Sequence, residues 1–318
     1  MPSSAIIGHK KQLLQLAQDL ETDNLSHAYL FTGAAHIGKT TVAKWFARQI
    51  LVADTPLEQA EQAANAIERL IHPDFLMLDQ LWMEERMEDW NIIAKSSNIP
   101  QQHRAEKKLK TDSISIDDMR LIQGRLYETG DLPHRVCLIH GIERMQGPAV
   151  SAFLKILEEP PPGRVFLLTT DAASSILPTI VSRSRVLGFE RVGARDIKTI
   201  LAELEPADVS FITHISRGAP GLAMQLRDDP DLLRDERLLH THAVAYWEAS
   251  NLHERLILLK PLLERGNESE RLLFHLALAL RSNPNAVRSH ERALQQLSEA
   301  LETNAMRGLQ VQEFALSA

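Results

Sequence analysis

The eight residues Gly33-Ala34-Ala35-His36-Ile37-Gly38-Lys39-Thr40 match the spacing G-x-x-x-x-G-K-[ST] in full. Each type has a physical task in that order. Glycines let the loop curl so that successive backbone N–H groups converge on phosphate oxygens. Lys39 supplies a compact positive charge for terminal phosphates, and Thr40 supplies a hydroxyl for Mg²⁺. The helix that begins there turns its positive dipole end toward the same anion. Gly33, Ala34, Ala35, His36, Ile37, Gly38, Lys39 and Thr40 are therefore the candidate cradle for a nucleoside triphosphate with Mg²⁺. The competing reading is a fossil loop that keeps the shape without the ligand.

Cleaving a phosphoanhydride demands more than holding it. Loops of this kind work with a carboxylate at the tip of a neighbouring strand, which helps hold the metal, and with an acid that orients water. The matching apolar run Arg135-Val136-Cys137-Leu138-Ile139 ends in His140-Gly141, and neither residue is an acid. The nearest carboxylate, Glu143, lies beyond Gly141-Ile142 and is displaced from the tip. The residues needed to bind are present and those needed to cleave are missing. Other chemistry fits poorly. The 13 histidines show no HExxH spacing, His240-Thr241-His242 has no partner cluster, and no G-x-S-x-G turn occurs.

The elements that must position this loop are legible from hydrophobic patterning. Leu13, Leu16, Ala17 and Leu20 recur at helical spacing ahead of an apolar run at 28–32. A helix is expected from about Lys39, with Val42, Ala43, Phe46, Ala47 and Ile50 on one face. Further strands are expected at 74–78, 135–139, 164–169 and 185–189. A helix opening near Pro148 and closed by Pro160 to Pro162 joins the third run to the fourth. Five strands with helical crossovers make an α/β domain with a parallel sheet over residues 1–190. From residue 191 the strand signal is gone. Residues 191–229 read as a small helical domain and 230–318 as a larger all-helical one, with Arg227-Asp228-Asp229-Pro230-Asp231 as the linker. Residues 80–112 fit no element, and their charge run is expected to form a solvated surface insertion that could also meet a partner or DNA.

Composition sets the outer bounds. A chain of 318 residues, 44% hydrophobic and 24% charged, is long enough for two or three packed domains. Its net charge of −7 argues against tight binding to nucleic acid by the chain alone. The single cysteine, Cys137, excludes an internal disulfide and a four-thiolate zinc site. No apolar run approaches the ~18 residues of a membrane span, and no signal-peptide order opens the chain, so a cytoplasmic location is expected.

With these motifs in view, the sequence resembles the delta-prime subunits of the bacterial DNA polymerase III clamp loader, within the AAA+ group. Ser26-His27-Ala28-Tyr29-Leu30-Phe31 runs into the phosphate loop, and His72-Pro73-Asp74-Phe75 opens the second strand. Ser115-Ile116-Asp117-Asp118-Met119-Arg120 precedes the third. Leu154-Lys155-Ile156-Leu157-Glu158-Glu159-Pro160-Pro161 is similar to the family's L-L-K-x-L-E-E-P signature, and Pro178-Thr179-Ile180-Val181-Ser182-Arg183-Ser184 to its T-I-x-S-R-C signature. The resemblance covers about residues 5–190 and is weaker beyond.

It implies an AAA+ domain, a small helical lid and a helical collar that joins subunits. Thr169 or Thr170 falls where the family has its sensor residue, and Arg183 where it has an arginine finger acting in trans on ATP held by a neighbour. The implied partners are the motor and delta subunits, the sliding clamp, and primed DNA through the assembled complex. Three departures refine this. Residues 51–71 lack the four zinc-binding cysteines common in the family, so no zinc module is expected. Ser184 replaces the usual cysteine, and Leu222 stands near a second sensing arginine of active members. The expectation is a clamp-loader subunit that binds ATP with little or no hydrolysis. Its alternatives are a hydrolysing motor subunit, with a carboxylate such as Glu143 substituting at the metal, and a delta-prime-like scaffold outside replication.

Overall fold

The computed structural model describes residues 6–69, 72–78, 113–127, 130–282, 284–303 and 306–317. The expected insertion at 80–112 lies outside the described residues. The chain divides into two compact units, one of residues 1–203 with 216–223 and the other of 204–215 with 224–318.

The first unit opens with α1 (Lys10–Glu21), β1 (Ala28–Thr32), α2 (Lys39–Ala53), α3 (Ala60–Glu68) and β2 (Phe75–Leu78). It continues with α4 (Ile116–Tyr127), β3 (Arg135–Ile139), α5 (Gly147–Glu158) and β4 (Arg164–Thr170). The short α6 (Pro178–Val181), β5 (Arg185–Gly188) and α7 (Ala194–Ile200) follow. The strands form one sheet in the order β2-β3-β4-β1-β5, and every pair is parallel. The order explains why the strands read as nearly continuous apolar runs: helices cover both faces, so both sets of alternating side chains are buried. Ala28, Leu30, Cys137, Ile139, Phe166 and Leu168 face Met119 and Ile122 of α4 and Phe153 and Ile156 of α5. Tyr29, Phe31, Val136, Leu138, Val165 and Leu167 face Leu16 of α1 and Val42, Phe46 and Ile50 of α2. Each fully buried aromatic or branched side chain contributes about 1.5–3 kcal/mol, so the two layers hold the sheet as a rigid platform.

Chain order also creates a crevice. The crossover leaving β1 runs to one edge of the sheet, through α2 to β2, and β5 lies on the other side of β1. Ligands of open α/β sheets bind outside the carboxyl ends of the strands at such a reversal. The Gly33–Thr40 loop leaves β1 there, and register puts Thr32 level with Thr170 on β4 and with Gly188 on β5.

The second unit is helical: α8 (Pro206–Ser216), α10 (Pro230–Glu248), α11 (Leu252–Leu258), α12 (Asn267–Arg281), α13 (Pro284–Glu302) and α14 (Arg307–Ser317). Between α8 and α10 runs α9 (Pro220–Asp228). The linker expected at 227–231 is a helix-to-helix junction: the Asp229 carboxylate accepts from the N–H groups of Asp231 and Leu232, capping α10. Leu239, Tyr246, Leu262, Leu272, Leu276, Leu297 and Phe314 form its core. Inside it, buried Glu236 accepts from Arg271 Nε at 2.6 Å and pairs with His275 Nε2 at 2.5 Å. Burial pushes the Glu236 carboxyl up, but His275 and Arg271 outweigh burial and hold it below the usual carboxylate range. Among the described residues, no helix is long and apolar enough to cross a membrane.

Candidate functional site

The loop that follows β1 adopts three left-handed residues, Gly33 at φ 150°, His36 at φ 57° and Gly38 at φ 101°. Gly33 has a steric reason besides: a Cβ there would meet the Phe189 carbonyl oxygen at 2.5 Å. Gly38 heads α2, whose first turn has no acidic residue and no side-chain cap, so its leading N–H groups are left for an anion. The loop is braced on its outer side. His9 Nε2 donates to the Ile37 carbonyl at 2.7 Å, and Gly221 N–H donates to the His36 carbonyl at 2.8 Å. Burial, aided by the nearby Lys39 charge and opposed by the bond to Ile37, lowers the His9 pKa and keeps the ring neutral at pH 7. A Cβ at Gly221 would lie 2.7 Å from the His36 carbonyl oxygen, so glycine permits that approach.

Lys39 is buried, its side chain 4% exposed, and Nζ donates to the Gly33 carbonyl at 2.8 Å, the Ala34 carbonyl at 2.6 Å and Asp171 Oδ1 at 2.5 Å. Thr40 follows it at the head of α2, half-buried, while Ala35 and His36 are exposed at the loop's crest and Ile37 is buried beneath. The cradle residues named from sequence are thus brought together on one loop. Its curl and its buried cation fit a polyphosphate; the β3 tip, His140-Gly141, carries no acid.

At the β3 tip, Gly141 is left-handed at φ 65°, and Arg144 folds back to the carbonyls of His140 and Gly141. Thr169 is fully buried, and its hydroxyl accepts from Gly141 N–H at 3.2 Å, lacing β4 to β3. The Thr170 hydroxyl accepts from Ala172 N–H at 3.1 Å. Glu143 Oε1 accepts from Asp171 N–H at 3.2 Å, so this displaced acid reaches the β4 tip by way of Asp171. Cys137 is buried mid-strand, its thiol pushed up to about 12 by burial, and plays no nucleophilic part. Among the described residues no cluster of three or more His, Cys, Asp or Glu could hold a metal ion.

Arg183 lies elsewhere. It precedes Arg185, which is level with Tyr29 near the start of β1, whereas the phosphate loop leaves the other end of that strand. At about 3.3 Å per residue the two ends of β5 are already some 10 Å apart, and the finger candidate stands beyond the far one. Its guanidinium donates to the Thr179 carbonyl at 3.2 Å and to Glu158 Oε1 at 3.0 Å, with the side chain 36% exposed. Arg183 and Lys39 are not parts of one site within a single chain.

A model of the family described as DNA polymerase III, delta subunit, matches residues 8–193. The chain belongs to this family. Among curated relatives, the delta-prime subunit of Bacillus subtilis is 26% identical over 76% of this chain and 64% of its own length. The tau subunit of the same organism is 25% identical over 84% of this chain and 47% of its own length. The delta-prime subunit of Pseudomonas aeruginosa is 31% identical over 63% of this chain and 56% of its own. The chain thus spans about half to two thirds of these relatives. A solved gamma-subunit-related protein of Thermotoga maritima overlays 96% of this chain and 97% of its own, at 17% identity and a TM-score of 0.47. The chain is similar to delta-prime subunits of DNA polymerase III, and its α/β unit has the five-stranded parallel sheet expected from the motifs.

Sequence reasoning did not single out Asp171, His9 or Gly221, and it named Glu158 only as part of the L-L-K-x-L-E-E-P signature. The Asp171 contact had one available signal, a carboxylate directly after Thr169-Thr170. The His9 and Gly221 braces had none, because both arise from segments distant in the chain.

Proposed function

We propose that this chain is a subunit of a DNA polymerase III clamp loader that helps place a sliding clamp on primed DNA. In this reading it binds ATP and Mg²⁺ with little or no turnover and supplies Arg183 in trans to an adjacent motor subunit. The observation that carries the reading is the separation of its two halves: a complete phosphate loop at one end of β1, and beyond the other a half-buried arginine paired with Glu158. An arginine so placed cannot serve its own loop, and a guanidinium at a subunit boundary suits charge developing on a neighbour's transferring phosphoryl group.

Within the chain, the N–H groups of the Gly33–Gly38 loop would hold the phosphates, Lys39 the terminal ones, and the Thr40 hydroxyl the metal. ATP, when bound, would supply a phosphoanhydride and a ligand-dependent rigidity at the crevice. The bond from Gly221 to His36 tethers the loop to the head of α9, so loop order and the position of that helix end move together. His140 and Gly141 leave no carboxylate at the β3 tip, which supports low turnover. The remainder is proposed on the family likeness: residues 191–229 as the lid, 230–318 as the collar, motor and delta subunits, clamp and DNA as partners, and a cytoplasmic hetero-oligomer.

One observation favours a second reading, an active motor. Glu143 comes within hydrogen-bond reach of the Asp171 backbone and so lies near Lys39. The deciding experiment measures ATP binding and hydrolysis by the isolated chain, and again with motor and delta subunits, clamp and primed DNA. Binding without steady turnover alone, and stimulated turnover only in the assembly, is expected. Sustained hydrolysis by the isolated chain that is lost in Glu143→Gln would establish the motor reading instead. Failure to join clamp-loader partners would place the chain outside replication.

A further inference from the structure

The Lys39 ammonium has three N–H donors and three protein acceptors within 2.8 Å. The three are unlike one another. The Gly33 and Ala34 carbonyls belong to the loop and are fixed by its curl. Asp171 is a side chain 44% exposed, and it is the charged member of the set. Its backbone is anchored, since it directly follows β4 and its N–H is held by Glu143 Oε1 at 3.2 Å. Its carboxylate, by contrast, is open to solvent and can rotate away once its bond to Lys39 is broken.

We propose that Asp171 is an internal competitor for phosphate: its carboxylate occupies the cation that Lys39 offers and thereby sets the chain's affinity for nucleotide. The inference rests on the nucleotide-binding reading above. Two effects act in the same direction. A terminal phosphate must displace a charge-assisted hydrogen bond of 2.5 Å before Lys39 can serve it. The displaced carboxylate then remains anchored by its backbone within a few ångströms of the incoming anion, and like charges at that range repel. Both effects grow with the charge presented at Lys39, so the carboxylate discriminates against a triphosphate more than against a diphosphate. Sequence comparison of the loop alone would rate it fully competent, because the competitor stands 131 residues after Thr40 and meets Lys39 only through the β1–β4 register.

The test uses the full chain and fluorescent analogues of ATP and ADP. Asp171→Asn keeps the shape and removes the charge; it should bind the ATP analogue roughly ten-fold more tightly, a change of ~1.4 kcal/mol, with a smaller gain for ADP. In the Lys39→Ala background the same substitution should give a clearly smaller gain, because only the repulsion remains to be relieved. Asp171→Ser, checked for an unchanged melting temperature, guards against a local effect of the asparagine. Equal affinities for the parent chain and both Asp171 variants overturn the inference and leave nucleotide binding standing. A gain just as large without Lys39 overturns it as well. If neither parent nor variant binds at millimolar nucleotide, the inference and the nucleotide-binding reading fall together.

Discussion

Replacing Asp74 by Ala should strongly destabilise the α/β unit, although Asp74 touches no candidate ligand. Asp74 is fully buried, and its Oδ1 accepts from Arg135 Nε and Nη2, both at 3.1 Å. The Arg135 side chain is 4% exposed and also donates to the neutral Arg125 carbonyl. Deleting the carboxylate takes the counterion from a buried guanidinium, which costs about 3–5 kcal/mol. Arg164 aggravates the loss. Burial and the neighbouring Arg135 lower its pKa while Asp74 raises it, so the variant loses the charge that offsets the repulsion between the two arginines. For a unit of some 200 residues, this corresponds to a fall in melting temperature of roughly 6–20 °C. Because the chain has two units, hydrogen exchange of the β2 and β3 amides is the better assay, since it reads the sheet separately from α10–α14. Those amides should lose protection while the second unit keeps its own. Asp74→Ala combined with Arg135→Met should recover at least half of the loss, because removing both charges also removes the uncompensated one. A loss below about 1 kcal/mol in Asp74→Ala would refute this reasoning, since it would mean that water reaches the pair.

In a reconstituted clamp loader, Arg183→Ala should lower turnover at the site it serves by roughly 10³-fold while assembly, followed by gel filtration, is unchanged; undiminished stimulation by clamp and DNA would remove the finger assignment. Lys39→Ala should abolish most nucleotide binding to this chain and alter turnover of the whole complex little, and a large loss of turnover would mean that this site hydrolyses. Acid should weaken the fold, because burial lowers the pKa of His9, His72 and His240 from 6.5. The unfolded chain then binds more protons than the folded one, so this stability is whole above about pH 6.5 and is lost as pH falls below it. Three groups cap the slope at about 4 kcal/mol per pH unit, and urea midpoints that do not change between pH 7.5 and 5.5 would contradict it.

Much of the site was legible because its key residues are local in sequence. Gly33 to Thr40 act through backbone curl, helix dipole and one cation, all specified within eight residues, and short apolar runs sufficed to place the five strands around them. The absence of an acid at His140-Gly141 was equally local. Residues 204–215 and 216–223 are adjacent in sequence but fall in different compact units, and local periodicity carries no signal for that division. The likeness to the H-P-D motif marked Asp74 without saying why an acid is needed there; its burial against Arg135, 61 residues away, supplies the reason.

By itself, then, the amino-acid order determined which residues could cradle phosphate and which strand tip could not activate water, because both follow from residue type and short spacing; the reading of Arg183 as a finger came from the family likeness. Only the tertiary structure decided what those residues meet. The parallel register of β1 with β4 brings Asp171 onto Lys39, β5 carries Arg183 to the end of the sheet away from the loop, and Gly221 ties the head of α9 to the crest at His36. These contacts join segments more than a hundred residues apart, and the sheet order that creates them buries both faces at once.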